Sequence, residues 1–335
     1  MLDWSSLPRP IIALAPMAGY TDSPYRQLVK EICPRVICFT EFTSVDGILH
    51  GNEATMRQIM FDPEKERPIV AQIFGKKPEN FRKAVKILTA LGVDAIDINM
   101  GCPAKKIVSS DCGSSMLKNP ALAEEIVRAT VESTSLPVSV KMRIGISGYD
   151  EMYFFDFARR MEKAGAKLLT IHGRTSKQMY GGEADWHPIY ELKKNLQIPV
   201  IGNGDIRGGV EAINKIGNLD GIMVGRGSFG NPWVFCEILA AFENRSYTPP
   251  IFQEKINTML HHYDLACAFK NEKWGTLEMR KQFAWYIRGI PHASGLRQKL
   301  VTASSRQEVI SMLNEFLVLR KPSAADPESR QAQPA

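Results

Sequence analysis

The sequence predicts an α/β protein: a (β/α)8 barrel of the TIM type with a smaller C-terminal α-helical domain. Three observations carry that prediction. Short β-rich segments recur eight times between residues 11 and 227, stretches with apolar residues at helical spacing lie between most of them, and polar residues collect at the C-terminal end of each segment. Near-continuous apolar strands alternating with amphipathic helices argue for a parallel sheet covered on its outer face, and eight units over about 240 residues match a closed barrel.

The segments are IIALAPM (11–17), VICFTEF (36–42), PIVAQIF (68–74), AIDINMG (95–101), PVSVKMRI (137–144), LLTIHGR (168–174), PVIGNGDI (199–206) and GIMVGRG (221–227). PENFRKAVKILTALG (78–92) and NPALAEEIVRATVES (119–133) are the clearest helices between them. At the segment ends stand Pro16 with Met17, Glu41, Gln72, Asn99 with Cys102, Lys141 with Arg143, His172 with Arg174, Asn203 with Asp205, and Arg226. A doubly wound sheet would place ligands in a crevice between two strands; contributions from all eight ends indicate a barrel mouth.

After about Pro249 the strand pattern stops, and QEKINTMLHHYDLACAFK, LEMRKQFAWYIRGI and QEVISMLNEFLVLR read as helices. The chain therefore divides into a barrel over residues 1–245 and a helical domain over 250–320. The closing stretch, KPSAADPESRQAQPA, lacks apolar periodicity, so residues 321–335 are expected to form a disordered tail.

Composition narrows the classes. With 335 residues, 44% hydrophobic and 23% charged, the chain can bury a large core and is neither fibrous nor disordered, and its apolar runs are too short to span a membrane. The opening residues MLDWSSLPRP show no secretory pattern. Six cysteines without a C-x-x-C pair or zinc-finger histidines argue against structural zinc and a disulfide framework. Reduced thiols and a cytoplasmic location are expected, with Cys33, Cys38, Cys236 and Cys267 as small buried hydrophobes. A net charge of +6 suggests an anionic partner. From Lys281 through Gln307 there is no Asp or Glu, while Lys281, Arg288, Arg297, Lys299 and Arg306 are present; this is either a solvated helical surface or a phosphate-tracking face.

The stretch DINMGCPAKKIV (97–108) carries the sharpest chemical signal. Gly101 and Pro103 end the strand by different means, so Cys102 sits on a tight turn where a thiol can meet a ligand. A thiol with an ordinary pKa of about 8.5 keeps its proton at neutral pH and can act as a general acid. No histidine base stands beside it to make it a nucleophile, and Cys112 is a lesser rival. Lys141 and Arg143, two apart on a strand, share one face. Lys141 could neutralise the anionic ring of a reduced flavin, form a Schiff base, or complete an ion pair. His172 is followed by Arg174 and Thr175, which favours ligand contact, and the amides Gln72 and Asn99 need partners that a flavin or pyrimidine ring would supply. GNGDIRGG (202–209) and GRGSFGNP (225–232) fall where barrels commonly bind phosphate.

Taken in order, IALAPMAGYTDSPYR, DINMGCPAKKIV, VKMRIG, IHGRT, NGD and VGRG closely resemble the bacterial tRNA-dihydrouridine synthases over roughly residues 10–235, with NMGCPAKK and HGRTSKQMYGG the most discriminating pieces. The resemblance implies a barrel that binds FMN, a helical domain that binds tRNA, and NADPH (or NADH) as reductant. It further implies hydride transfer to C6 of a tRNA uracil while Cys102 protonates C5. Family flavin contacts carry over to Pro16, Met17, Ala18, Gln72, Lys141 and His172, with Asn99 near flavin and substrate. Phosphate contacts fall on Asn203, Gly204, Asp205, Gly225 and Arg226, and no metal is implied. A monomer without membrane association is expected. The acid-free basic stretch would then hold the tRNA backbone, with Phe283, Trp285 and Tyr286 as stacking or, preferably, core residues. Two other readings stand beside this one: a small-molecule flavin barrel such as a dihydroorotate dehydrogenase or enoate reductase, and a non-catalytic tRNA-binding protein.

Overall fold

The computed structural model describes residues 2–319, so the expected tail at 321–335 lies outside the described residues. The chain forms two compact units, one of residues up to Gly227 with Val234–Arg245, the other of Ser228–Trp233 with the chain from Ser246 on.

The first unit is a closed parallel barrel. Its strands are β1 (Ile11–Leu14), β2 (Ile37–Phe39), β3 (Ile69–Phe74), β4 (Ala95–Met100), β5 (Val138–Gly145), β6 (Leu168–Thr175), β7 (Val200–Asn203) and β8 (Gly221–Val224). Each pairs in parallel with the next, and Ile11–Leu14 of β1 lies in register with Gly221–Val224 of β8, which closes the ring and leaves no barrel edge unpaired. All eight expected segments are strands.

The connecting helices begin and end on identifiable signals. Asp22 caps Ser23–Ile32 by accepting the Tyr25 N–H, and Asn119 caps Pro120–Val131 by accepting that of Leu122. Pro78 opens Pro78–Leu91, and Gly92, at φ 81°, closes it in the left-handed region. The expected spans 78–92 and 119–133 therefore include Gly92, Asn119 and Glu132, which cap these helices, and Ser133, which follows one.

The barrel interior is stratified. Ile11, Ala13, Ile37, Phe39, Val70, Ala95, Leu168, Ile201 and Met223 form one apolar cluster, and Leu2 and Trp4 from the N-terminal segment pack into it. Trp4, 1% exposed, stacks on Phe39 with ring centroids 6.4 Å apart. Because side chains alternate, the same strand faces continue upward as Gln72, Asp97, Asn99, Lys141, Arg143, His172 and Asn203, so the apolar floor gives way to a polar mouth. On the outside, the fully buried pair Arg26–Glu66 (2.6 Å) ties Ser23–Ile32 to the segment that leads into β3. Ser23 and the Asp62 N–H donate to Glu66, and Arg26 donates to the carbonyls of Thr21 and Met60, so both charges are hydrogen-bonded as burial requires.

The second unit contains helices Phe252–Lys270, Glu272–Tyr286, Ser294–Leu300 and Arg306–Leu319. The helix expected to run to Ile290 stops at Tyr286. Phe283 and Tyr286 are buried, Phe283 against the edge of Tyr263 at 5.4 Å, so both serve the core. The basic stretch is partly compensated from outside itself: Lys299 pairs with Glu315 at 2.9 Å and Arg306 with Asp264 at 2.5 Å. Among the described residues no helix is long and apolar enough to cross a membrane.

Candidate active site

The site is assembled at the C-terminal ends of the barrel strands. After β4 the chain turns through Gly101, Cys102 and Pro103, and the Asn99 side-chain oxygen accepts both the Gly101 N–H (3.0 Å) and the Cys102 N–H (2.9 Å). An Asn side chain that satisfies backbone donors two and three residues on fixes such a turn locally. From the other side, the Cys102 carbonyl accepts the Ser114 N–H at 3.0 Å. Gly113 makes this approach possible: its φ is +59°, and a Cβ there would lie 2.7 Å from the Cys102 carbonyl oxygen.

Cys102 is partly exposed, and its thiol is raised above the ordinary range by burial, against the lowering influence of the Ala104 N–H and the charges of Arg143 and Lys141. It is therefore a neutral thiol at neutral pH. Cys112 is buried and turned to the Ser110 carbonyl at 3.4 Å, within its own loop.

Below the turn runs a chain of amides. Asn99 donates from Nδ2 to Gln72 Oε1 (2.8 Å), Gln72 donates from Nε2 to Asp97 Oδ2 (2.7 Å), and Ser139 donates to Asp97 Oδ1 (2.5 Å). Asn99 and Lys141 are register neighbours on β4 and β5, and Lys141 Nζ reaches across to Asn203 Oδ1 on β7 at 3.0 Å. Asn203 in turn donates to the Met223 carbonyl at 2.7 Å. Burial, followed by the nearby Arg143 charge, pushes the Lys141 ammonium down to about 8. Arg143 spends its fork on backbone oxygens, those of Gly101 (2.8 Å), Thr175 (2.8 Å) and Met179 (2.9 Å), so it buttresses the Cys102 turn from β5.

His172 sits beside Arg143 and Asn203 in register. Burial, then the charges of Lys141, Arg143, Arg174 and Arg226, hold its imidazole far below the ordinary range, so the ring is neutral. Arg174 donates to Asp205 Oδ2 (2.7 Å) and to the carbonyls of Gly181 and Gly182. Asp205 also accepts the Ala184 N–H at 2.8 Å and lies 3.5 Å from Arg226, whose guanidinium covers the Tyr180 ring at 4.5 Å. Gly204 and Asp205 both have positive φ, 132° and 52°.

Of the residues expected from the sequence, Gln72, Asn99, Cys102, Lys141, His172 and Asn203 are joined by hydrogen bonds or strand register. Gly204, Asp205 and Arg226 continue the group at the ends of β7 and β8. Pro16, Met17 and Ala18 follow β1, with Ala18 exposed and Met17 held through its N–H by Thr21 Oγ1 at 2.8 Å. Gly225 is close to that segment, since a Cβ on it would lie 3.7 Å from Met17 Sδ. Asp97, Ser139 and Tyr180 join the site without having been expected there. The signal for Asp97 was present: a carboxylate inside an apolar strand, two residues before Asn99 and hence on its face. Among the described residues no group of three or more His, Cys, Asp or Glu could hold a metal.

The sequence profile of the dihydrouridine synthase (Dus) family matches residues 13–321. The chain is 36% identical over 311 residues to a probable tRNA-dihydrouridine synthase 1 of Synechocystis sp., covering 92% of this chain and 86% of that one. It is also 36% identical over 311 residues to tRNA-dihydrouridine synthase B of Pasteurella multocida, covering 92% and 93%. A solved structure of morphinone reductase superposes with a TM-score of 0.49 at 13% identity, over 74% of this chain and 90% of that one. With the profile spanning the barrel, the Cys102 turn and most of the helical unit, the chain belongs to the dihydrouridine synthase family of oxidoreductases.

Proposed function

We propose that the protein reduces uridines in tRNA to 5,6-dihydrouridine, with FMN as cofactor, NADPH (or NADH) as reductant and Cys102 as the proton donor. The observation that carries this reading is a neutral thiol fixed on a turn at the barrel mouth, beside a buried ammonium, a neutral imidazole and two amides.

The donor set fits FMN. Lys141, Arg174 and Arg226 bring three cations to one rim, with Asp205 pairing with two of them, and so favour an anionic ligand. Gln72 and Asn99 each retain one N–H beyond the bonds described, suited to carbonyls of a planar ring. When bound, FMN supplies the hydride that reaches C6 of the uracil. Lys141 Nζ, steadied by Asn203, would neutralise negative charge on the reduced ring, and His172 would donate one hydrogen bond as a neutral imidazole. Pro16, Met17 and Ala18 would line the ring. The phosphate would meet the N–H groups of Gly204, Asp205, Gly225 and Arg226 and the Arg226 guanidinium. In this arrangement the Asp205 carboxylate orients Arg174 and Arg226, and Asn203 orients Lys141, neither touching phosphate through its side chain.

Cys102 Sγ gives its proton to C5 of the uracil as the C5–C6 bond is saturated, and the thiolate that forms is favoured by the charges of Arg143 and Lys141. The base must leave its stack to reach the turn, at a cost of a few kcal/mol that is lowest for loop nucleotides. The second unit would track the tRNA backbone. Arg288, exposed over the Trp285 ring at 5.1 Å, is the best placed of its basic stretch. With tRNA as substrate, the reaction would run in the cytoplasm. The direct test is Cys102→Ala, which should keep FMN and its reduction by NADPH while losing most dihydrouridine formation. Full turnover in that variant would remove Cys102 from the acid role.

A further inference from the structure

We propose that Asp97 is a positioning residue that sets, through the amides of Gln72 and Asn99, the hydrogen-bond direction of the turn that carries Cys102. Asp97 is fully buried on β4, and the mechanism above gives it no task. Both of its oxygens are occupied, Oδ1 by the Ser139 hydroxyl and Oδ2 by Gln72 Nε2.

An ionised carboxylate only accepts hydrogen bonds, so Gln72 must turn its NH2 toward Asp97 and its carbonyl toward Asn99. Asn99 must then give its NH2 to Gln72, which leaves its carbonyl for the N–H groups of Gly101 and Cys102. Those backbone groups only donate. Both ends of the chain therefore demand the same orientation of two amides, and the demand at the lower end comes from one carboxylate. Burial raises that carboxyl to about 6, opposed by the bonds from Ser139 and Gln72 and by the Lys141 charge, so the acceptor form prevails at neutral pH.

Replacing Asp97 by an asparagine changes few atoms and removes this constraint, because one of the two positions at residue 97 now donates. The new NH2 must face either the Ser139 hydroxyl or the Gln72 NH2. If Ser139 keeps its acceptor, Gln72 flips, Asn99 flips after it, and two NH2 hydrogens meet the Gly101 and Cys102 N–H groups. A second change, Gln72→Glu, restores the direction. The amide introduced at position 97 then accepts from Ser139 through its carbonyl and donates through its NH2 to the glutamate, and the glutamate accepts from Asn99. The buried charge is also conserved.

The test is amide hydrogen exchange of the peptide containing Gly101 and Cys102 in the purified, flavin-loaded protein. Asp97→Asn should speed exchange there at least tenfold, Asp97→Asn with Gln72→Glu should return it to within twofold of the parent, and Ser139→Ala, which leaves the amide direction intact, should stay within twofold. Unchanged exchange in Asp97→Asn, no recovery in the double variant, or equal effects of Ser139→Ala and Asp97→Asn would overturn the proposal. Should Asp97→Asn fail to fold, a folded double variant with parental exchange supports it, and a double variant that also fails to fold overturns it. The consequence for catalysis rests on Cys102 as the proton donor, and the two readings fail separately. Turnover by Cys102→Ala ends that role and leaves the exchange result standing, whereas unchanged exchange in Asp97→Asn ends only the positioning role.

Discussion

The side-chain carbonyl of Asn99 accepts the backbone N–H of Cys102 at 2.9 Å, so the residue that fixes the thiol lies three positions before it, at the end of the strand that leads into the turn. Asn99→Ala removes the acceptor of two N–H groups, each costing about 1–3 kcal/mol if left unsatisfied in full burial, but both are half-buried and water replaces part of the loss. The expected outcome is a folded protein destabilised by about 1–3 kcal/mol in urea, with kcat for tRNA reduction lowered at least tenfold and flavin reduction by NADPH changed less than threefold. Equal loss in both half-reactions would place Asn99 in flavin binding alone.

The Lys141 ammonium is held in the barrel at a cost in stability. Its ammonium is pushed from an ordinary 10.5 down to about 8, so below pH 8 the folded protein holds a buried charge that the unfolded chain holds in water, at a cost on the order of 3 kcal/mol. The cost declines as pH rises from about 8 to 10.5, where the folded protein has already lost the proton and the unfolded chain still binds it. In flavin-free protein, Lys141→Met should therefore be about 1–2 kcal/mol more stable than the parent near pH 7, the loss of the Asn203 bond offsetting part of the gain. That advantage should vanish by about pH 10. Flavin reduction by NADPH should slow at least tenfold in the same variant. Denaturant titrations at several pH values check the sign.

The strand ends are readable because period-two alternation puts Gln72, Asn99, Lys141, Arg143, His172 and Asn203 on faces that continue an apolar barrel floor. What escapes the sequence depends on pairing across long separations. That Arg143 reaches the carbonyls of Gly101, Thr175 and Met179, or that Asp205 binds Arg174 and Arg226 by its carboxylate, follows from strand register and loop return. The same limit explains the basic stretch: Asp264 and Glu315, which pair with Arg306 and Lys299, lie outside it in the chain. Trp4 plugging the barrel has no local pattern to announce it, since an isolated aromatic before a strand carries no period.

Arg26 and Glu66 are both fully buried, and both are hydrogen-bonded to each other and to further groups. Glu66→Gln leaves an uncompensated guanidinium in the interior and should cost about 3–5 kcal/mol in urea unfolding. The exposed pair Arg57–Glu53 is the control: Arg57→Ala should change stability by less than about 1 kcal/mol.

The flavin-loaded barrel should hand its reducing equivalents to uridines held in tRNA. The protein would be reduced anaerobically with NADPH, and the visible flavin absorbance followed after adding tRNA that lacks dihydrouridine, with free uridine as control. Rapid reoxidation by the tRNA with dihydrouridine appearing in it, and none by free uridine, is the predicted result; reoxidation only by small molecules, or by neither, would contradict it.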